Sequence, residues 1–146
     1  MEMWLGPSDF NEILADGEGM HVAFKDARSW SPDSFFRTIC AFLNTFGGTI
    51  YLGVNAEGTV IGVAPQAVAQ IKKEIVKLAR NRRLLDPHFP LSPHEFAFGD
   101  KIVIAVQVPL SSQIHRHGRR IIFRSAEGDY RLRETPLKSP GCPPRD

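Results

Sequence analysis

Apolar residues along the chain switch between helical and strand-like spacing, and the switches mark the elements. Ser8-Asp9 can cap a short helix running to about Ala15, closed by Asp16-Gly17. HVAFKDA (21–27) alternates, with Val22, Phe24 and Asp26 on one side and His21, Ala23 and Lys25 on the other, which predicts a strand. SPDSFFRTICAFLNTF (31–46) predicts a helix: Ser31 caps, Pro32 fits the first turn and Asp33 opposes the macrodipole. Phe35, Ile39, Phe42 and Phe46 form its stripe. Gly47-Gly48 ends it, because glycine enters the left-handed region without steric cost. TIYLGV (49–54) follows as a strand, NAEG (55–58) as a turn and TVIGV (59–63) as its hairpin partner.

A second amphipathic pattern runs from Pro65 to about Arg82, with Val68, Ile71, Ile75 and Leu78 on one stripe, until DPHFP (86–90) breaks it. HEFAF (94–98), KIVIAVQV (101–108), RRIIFR (119–124) and DYRLR (129–133) read as strands, with SAEG (125–128) turning the last pair. KIVIAVQV is apolar on both faces and is therefore expected in the sheet's centre. The order predicts an α+β domain: a mixed, mostly antiparallel sheet packed with two to three helices. One domain over 1–134 is expected, followed by a Pro-rich, disordered tail over 135–146.

Composition narrows the compartment. Cys40 sits in a helical pattern and Cys142 in the tail, so no disulfide framework is expected and a reducing, cytoplasmic setting fits. The start MEMWLGPSDF has neither the basic nor the apolar region of a signal peptide. No stretch has the length of a membrane span, so a membrane partner is not expected.

Charge adds more. The net charge of +2 hides an acidic start and two basic blocks. Residues 72–83 hold Lys72, Lys73, Lys77, Arg80, Arg82 and Arg83 against Glu74; residues 115–133 hold Arg116, Arg119, Arg120, Arg124, Arg131 and Arg133. Such clusters gain by releasing counterions from phosphates, and Tyr51, Phe123 and Tyr130 could stack on bases where exposed. His115 and His117 fall short of a zinc ligand set and read as surface histidines in a basic loop. Cys40 reads as a core thiol. Gly47-Gly48 is not a phosphate-binding loop, since no Gly-Lys-Ser/Thr follows and a strand succeeds it.

Several words together resemble the Schlafen-type AlbA-like domain family. They are Glu18, then VAFK (22–25), AFLNTFGG (41–48), TIYLGV (49–54), NAEG (55–58) and VIGV (60–63), closed by IIFRSAEGDYRLRE (121–134). The family occurs in vertebrate Schlafen proteins and in bacterial proteins labelled as DNA-binding or transcriptional regulators. The resemblance implies that the Asn-Thr-x-Gly-Gly junction is scaffold. In Schlafen nucleases it implies three carboxylates holding divalent ions, Mg²⁺ or Mn²⁺, to cleave tRNA-like RNA. Of those positions the first matches as Glu18, the second falls on Ala23 and the third on Asn55. Glu57 is a nearby acid, while Asp26 should lie on the opposite strand face from Ala23.

The expectation is therefore a nucleic-acid-binding domain, for RNA or DNA, without catalysis. The alternatives are a metal-dependent endoribonuclease with a rearranged acidic site, for which Glu18 and Glu57 are the candidates, and a protein-interaction or oligomerisation module. Candidate phosphate contacts are Lys25, Lys72, Lys73, Arg80, Arg82, Arg83, Arg116, Arg119 and Arg120, with Arg124, Tyr130 and Arg131 behind them. A homodimer or a larger partner protein is a further expectation from the family.

Overall fold

The computed structural model describes residues 7–131, so Glu2 of the acidic start, Arg133 and the expected tail lie outside the described residues. Helix α1 (Pro7–Asp16) precedes strand β1 (Val22–Lys25), a 3-10 turn (Ala27–Ser29) and helix α2 (Pro32–Asn44). Strand β2 (Gly48–Leu52) leads to helix α3 (Pro65–Leu78), then β3 (His94–Phe98), β4 (Lys101–Val108), β5 (Ile122–Ser125) and β6 (Gly128–Arg131). Four strands form a mixed sheet in the order β1-β2-β4-β3; β1 runs parallel to β2 and the other pairs are antiparallel. Strands β5 and β6 make a separate antiparallel hairpin. KIVIAVQV lies between two neighbours, as its two apolar faces require.

The sheet is covered on both faces. Phe24, Tyr51, Val103 and Ala105 face α1, whose Phe10 is fully buried and meets Phe96 and Phe98 edge-on at about 5 Å. Ala23, Ile50, Leu52, Ile104, Val106 and Val108 point the other way, into the larger core under α2 and α3. This is the period-two alternation of each strand expressed as two hydrophobic layers.

The α2–β2 junction explains its glycines sterically. Gly47 has φ +77°, and a Cβ there would lie 2.6 Å from the Val108 carbonyl oxygen. A Cβ on Gly48 would lie 2.7 Å from both the His21 carbonyl oxygen and the Phe42 ring. Asn44 then clamps the chain that follows β4. Its Nδ2 donates to the carbonyls of His115 and Ile122, each at 2.9 Å, and its Oδ1 accepts from the His115 amide at 2.7 Å. Thr45 Oγ1 donates to the Ala41 carbonyl and accepts from the Arg124 amide. The Asn-Thr-x-Gly-Gly word therefore joins helix, sheet and hairpin.

Three local expectations differ from the fold. TVIGV does not form a hairpin strand beyond one bridge between Val54 and Val60. Strand β2 already pairs with β1 on one edge and β4 on the other, so no edge remains for it. The amides of Ile61 and Gly62 both donate to the Gly53 carbonyl, and Gly62 at φ +87° turns the chain toward Ile102, whose carbonyl accepts from Val63. Phe46 is 64% exposed because α2 stops at Asn44 and the Gly47 turn swings the ring off the stripe. Helix α3 ends at Leu78 rather than near Arg82, giving way to tight turns that bury Leu85.

Candidate nucleic-acid interface

The basic residues of α3 follow from its amphipathic pattern. Val68, Ile71 and Ile75 bury against the sheet, which leaves Lys73, Val76, Lys77 and Arg80 outward. Lys72, Lys73, Lys77 and Arg80 line one side of an open groove of about 850 Å³, with Leu91 and Pro93 lining it as well. Lys72 is held by Glu95 at 3.1 Å, and Arg82 by Asp86 at 3.1 Å. Lys73, Lys77, Arg80, Arg83, Arg119 and Arg120 have no ion-pair partner among the described residues and are exposed.

The two basic blocks are joined by backbone pairing. The Asp86 amide donates to the Arg116 carbonyl at 2.9 Å and the Arg116 amide to the Asp86 carbonyl at 2.7 Å. The Gly118 amide donates to the Arg83 carbonyl at 2.8 Å. The loop bearing Arg116, Arg119 and Arg120 therefore lies directly on the turn bearing Arg82 and Arg83, which continues from the α3 groove. Lys77 belongs to this surface although it was not singled out; its i, i+4 spacing from Lys73 was the available signal. Leu91 and Pro93 had no such signal.

His115 and His117 are not surface residues, contrary to expectation; they are 2% and 8% exposed. The His115 ring nitrogens lie 2.6 Å from the Pro87 carbonyl and 2.7 Å from Ser111 Oγ. Those of His117 lie 2.9 Å from the Leu84 carbonyl and 2.9 Å from Asp33 Oδ1. All four nitrogens are engaged, and they pin the arginine-bearing loop to the protein body. Cys40 is the expected core thiol: its Sγ donates to the His115 carbonyl, and burial pushes its pKa up to about 11.

Arg124 corrects an expectation. It is 5% exposed, so it cannot contact a phosphate. Its Nη1 donates to Asp129 Oδ1 at 2.8 Å, its Nε to the Gly19 carbonyl at 3.0 Å and its Nη2 to the Val22 carbonyl at 2.9 Å, while its guanidinium lies over the Phe42 ring. Tyr51 is likewise buried, in the core with Phe10, and is closed to bases. Phe123 and Tyr130 are half-buried and pack on each other across the hairpin at 5.9 Å. Arg131 is exposed at the end of β6. Lys25 lies elsewhere, at the end of β1, half-buried beside α2, with Nζ 2.9 Å from Ser34 Oγ. Burial lowers its pKa below the usual 10.5.

The acidic positions do not fit a divalent ion. Glu18 Oε2 accepts the Phe24 amide at 2.8 Å, Ala23 is packed in the core, and Asn55 Oδ1 caps its own turn by accepting from the amides of Glu57 and Thr59. Asp26, one residue beyond β1, caps the 3-10 turn and grips Arg28. Among the described residues no group of three His, Cys, Asp or Glu side chains is arranged to hold a metal.

A mixed sheet covered by three helices, with a hairpin clamped by an Asn-Thr-x-Gly-Gly junction and a basic flank, defines a small α+β domain of the AlbA-like class. The chain belongs to the Schlafen, AlbA_2 family, whose pattern matches residues 18–133. Its fold is similar to that of the DIP2311 protein from Corynebacterium diphtheriae, at TM-score 0.62 and 17% identity over 84% of this chain. The match spans 28% of the length of that protein. It is also similar to the N-terminal domain of a DNA helicase RecG-related protein from Nitrosomonas europaea, at TM-score 0.56 and 22% identity, over 73% of this chain and 74% of that one. No curated protein matches the chain. No described helix is long and apolar enough to cross a membrane.

Proposed function

We propose that this domain binds nucleic acid through its phosphates, along the α3 groove and across the turn and loop that adjoin it, and does not cleave it. The observation that carries this reading is the backbone pairing of Asp86 with Arg116, which joins two basic blocks separated in sequence. Six exposed cations without described ion-pair partners lie on these segments and gain by displacing condensed counterions. The family's association with nucleic acid supports the reading. The acidic positions supply no metal-ligand set, which favours binding over hydrolysis.

The test is a gel titration of the protein against labelled tRNA, single-stranded RNA and duplex DNA at 50 and 200 mM salt, with and without Mn²⁺. The expected result is binding that weakens by about 10³-fold or more across that salt range with the strand left intact. Reversing Lys73 and Lys77 to Glu should weaken it further. Absence of binding at low salt would overturn the reading, and Mn²⁺-dependent cleavage needing Glu18 would replace it with the endoribonuclease. Comparing RNA with DNA of the same sequence assigns the preference, since the 2′-hydroxyl distinguishes them.

A further inference from the structure

His117 is buried, and each of its ring nitrogens meets an acceptor. Nδ1 lies 2.9 Å from the Leu84 carbonyl oxygen, and Nε2 lies 2.9 Å from Asp33 Oδ1. Neither a carbonyl nor a carboxylate oxygen can donate, so both bonds form only when both ring nitrogens carry a proton. The contact set is that of an imidazolium. His115, two residues away, differs. Its Nδ1 meets the Pro87 carbonyl, but its Nε2 meets the Ser111 hydroxyl, which can donate. A neutral ring satisfies that pair. The two buried histidines of one loop therefore sit in surroundings that ask for different protonation states.

Removing one proton from His117 leaves a lone pair facing an acceptor, whichever tautomer remains. If Nδ1 keeps its proton, bare Nε2 faces the Asp33 carboxylate; if Nε2 keeps it, bare Nδ1 faces the Leu84 carbonyl. One contact then has to open, because an unmet polar pair away from water is costly. The Asp33 side chain is 81% exposed, so it is the partner free to turn to solvent. The position of the ring gives this a consequence. Asp33 stands in the first turn of α2, Leu84 lies in the turn that carries Arg82 and Arg83, and His117 belongs to the loop that carries Arg116, Arg119 and Arg120. The remaining charged groups on these packed segments are Arg37 on α2 and Asp86 on the turn. Asp86 and Arg82 hold each other, so cations outnumber acids around the ring and oppose its charge.

We infer that Asp33, His117 and the Leu84 carbonyl form a proton-dependent lock that holds the arginine loop against the basic turn, and that nucleic-acid binding on this surface tightens as pH falls through the range where histidine titrates. The second half of the inference rests on the binding reading above and deepens it. Phosphates laid on the turn and loop offset the cations that oppose the imidazolium. Strand binding and protonation of His117 therefore favour each other, and binding takes up a proton.

The test compares ¹⁵N-labelled full-length chain with its Asp33→Asn variant by nuclear magnetic resonance. Asparagine keeps the shape of Asp33 but can donate, so a neutral His117 ring satisfies both contacts and the lock no longer needs the proton. The exposed position of Asp33 spares the core. At about pH 6 the ring spectra of wild type should show both His117 nitrogens protonated and one His115 nitrogen bare. The Gly118 amide, which donates to the Arg83 carbonyl, reports the lock. Its protection against hydrogen exchange, corrected for the intrinsic rate, should fall by about threefold or more between about pH 6 and pH 8 in wild type and stay level in Asp33→Asn. Affinity for labelled single-stranded RNA at fixed salt should fall by about threefold or more over the same range in wild type only. A bare His117 nitrogen at the lower pH, or the same change of protection in both proteins, would overturn the inference. If strands bind equally at both pH values, or with the same pH dependence in both proteins, the regulation fails and the groove reading stands. If no strand binds at either pH, the groove reading fails, and the ring spectra and Gly118 protection still decide the lock.

Discussion

Lys25 shows how much the position of one side chain along a strand decides. Strand alternation places it on the face of Ala23, beneath α2, where burial opposes its charge. Its pKa is lowered in the folded protein, mainly by desolvation. Below that lowered value both folded and unfolded chains carry the proton, and the cost of burying the charge is constant. As pH rises from there to the unfolded value near 10.5, the unfolded chain holds more protons and the folded state gains stability. Wild type should therefore gain stability relative to Lys25→Met across that window, as read by urea unfolding at stepped pH. Parallel curves for the two proteins would contradict the buried-cation account. The sequence marks Lys25 as a cation on an alternating strand, but its depth depends on α2 packing over it.

At the scale of elements, the hairpin β5–β6 is fixed to the domain by polar groups rather than by shared strand pairing. Arg124 reaches back to the Gly19 and Val22 carbonyls and holds Asp129, which also accepts the Thr38 hydroxyl at 2.5 Å. Removing one partner of a buried ion pair strands the other. Arg124→Ala is therefore expected to cost about 3–5 kcal/mol of unfolding free energy, and Arg124→Met/Asp129→Leu less than the single change. Denaturant unfolding checks this, and a loss under about 1 kcal/mol would show that the hairpin does not depend on the pair. Most elements were legible from period and punctuation: the Ser31 cap, the alternation of HVAFK and the two apolar faces of KIVIAVQV. TVIGV was not, because its alternation says that it could pair and nothing about whether an edge is vacant. Arg124 was misread for a similar reason: an arginine in a basic run looks like its neighbours until the fold supplies carbonyls and a carboxylate around it.

For the whole molecule, the consequence of the fold is a merged field. Each cation that meets a phosphate contributes about one unit to the steepness with which binding falls with salt. Lys73→Glu/Lys77→Glu and Arg119→Glu/Arg120→Glu should thus each flatten the log–log salt dependence on one duplex by about two units, and the two effects should combine. A slope that responds to only one pair would mean that the α3 groove and the 115–120 loop do not serve the same strand. The sequence alone determined the fold class, most helix and strand positions, the helix-ending role of Gly47-Gly48 and the two basic blocks, because these are properties of short windows and local sterics. The tertiary structure decided which cations are reachable, that His115 and His117 are buried anchors, that Arg124 is an internal clamp, and that the blocks meet at Asp86 and Arg116. Those outcomes depend on contacts between segments tens of residues apart, where chain packing sets distance and solvent access.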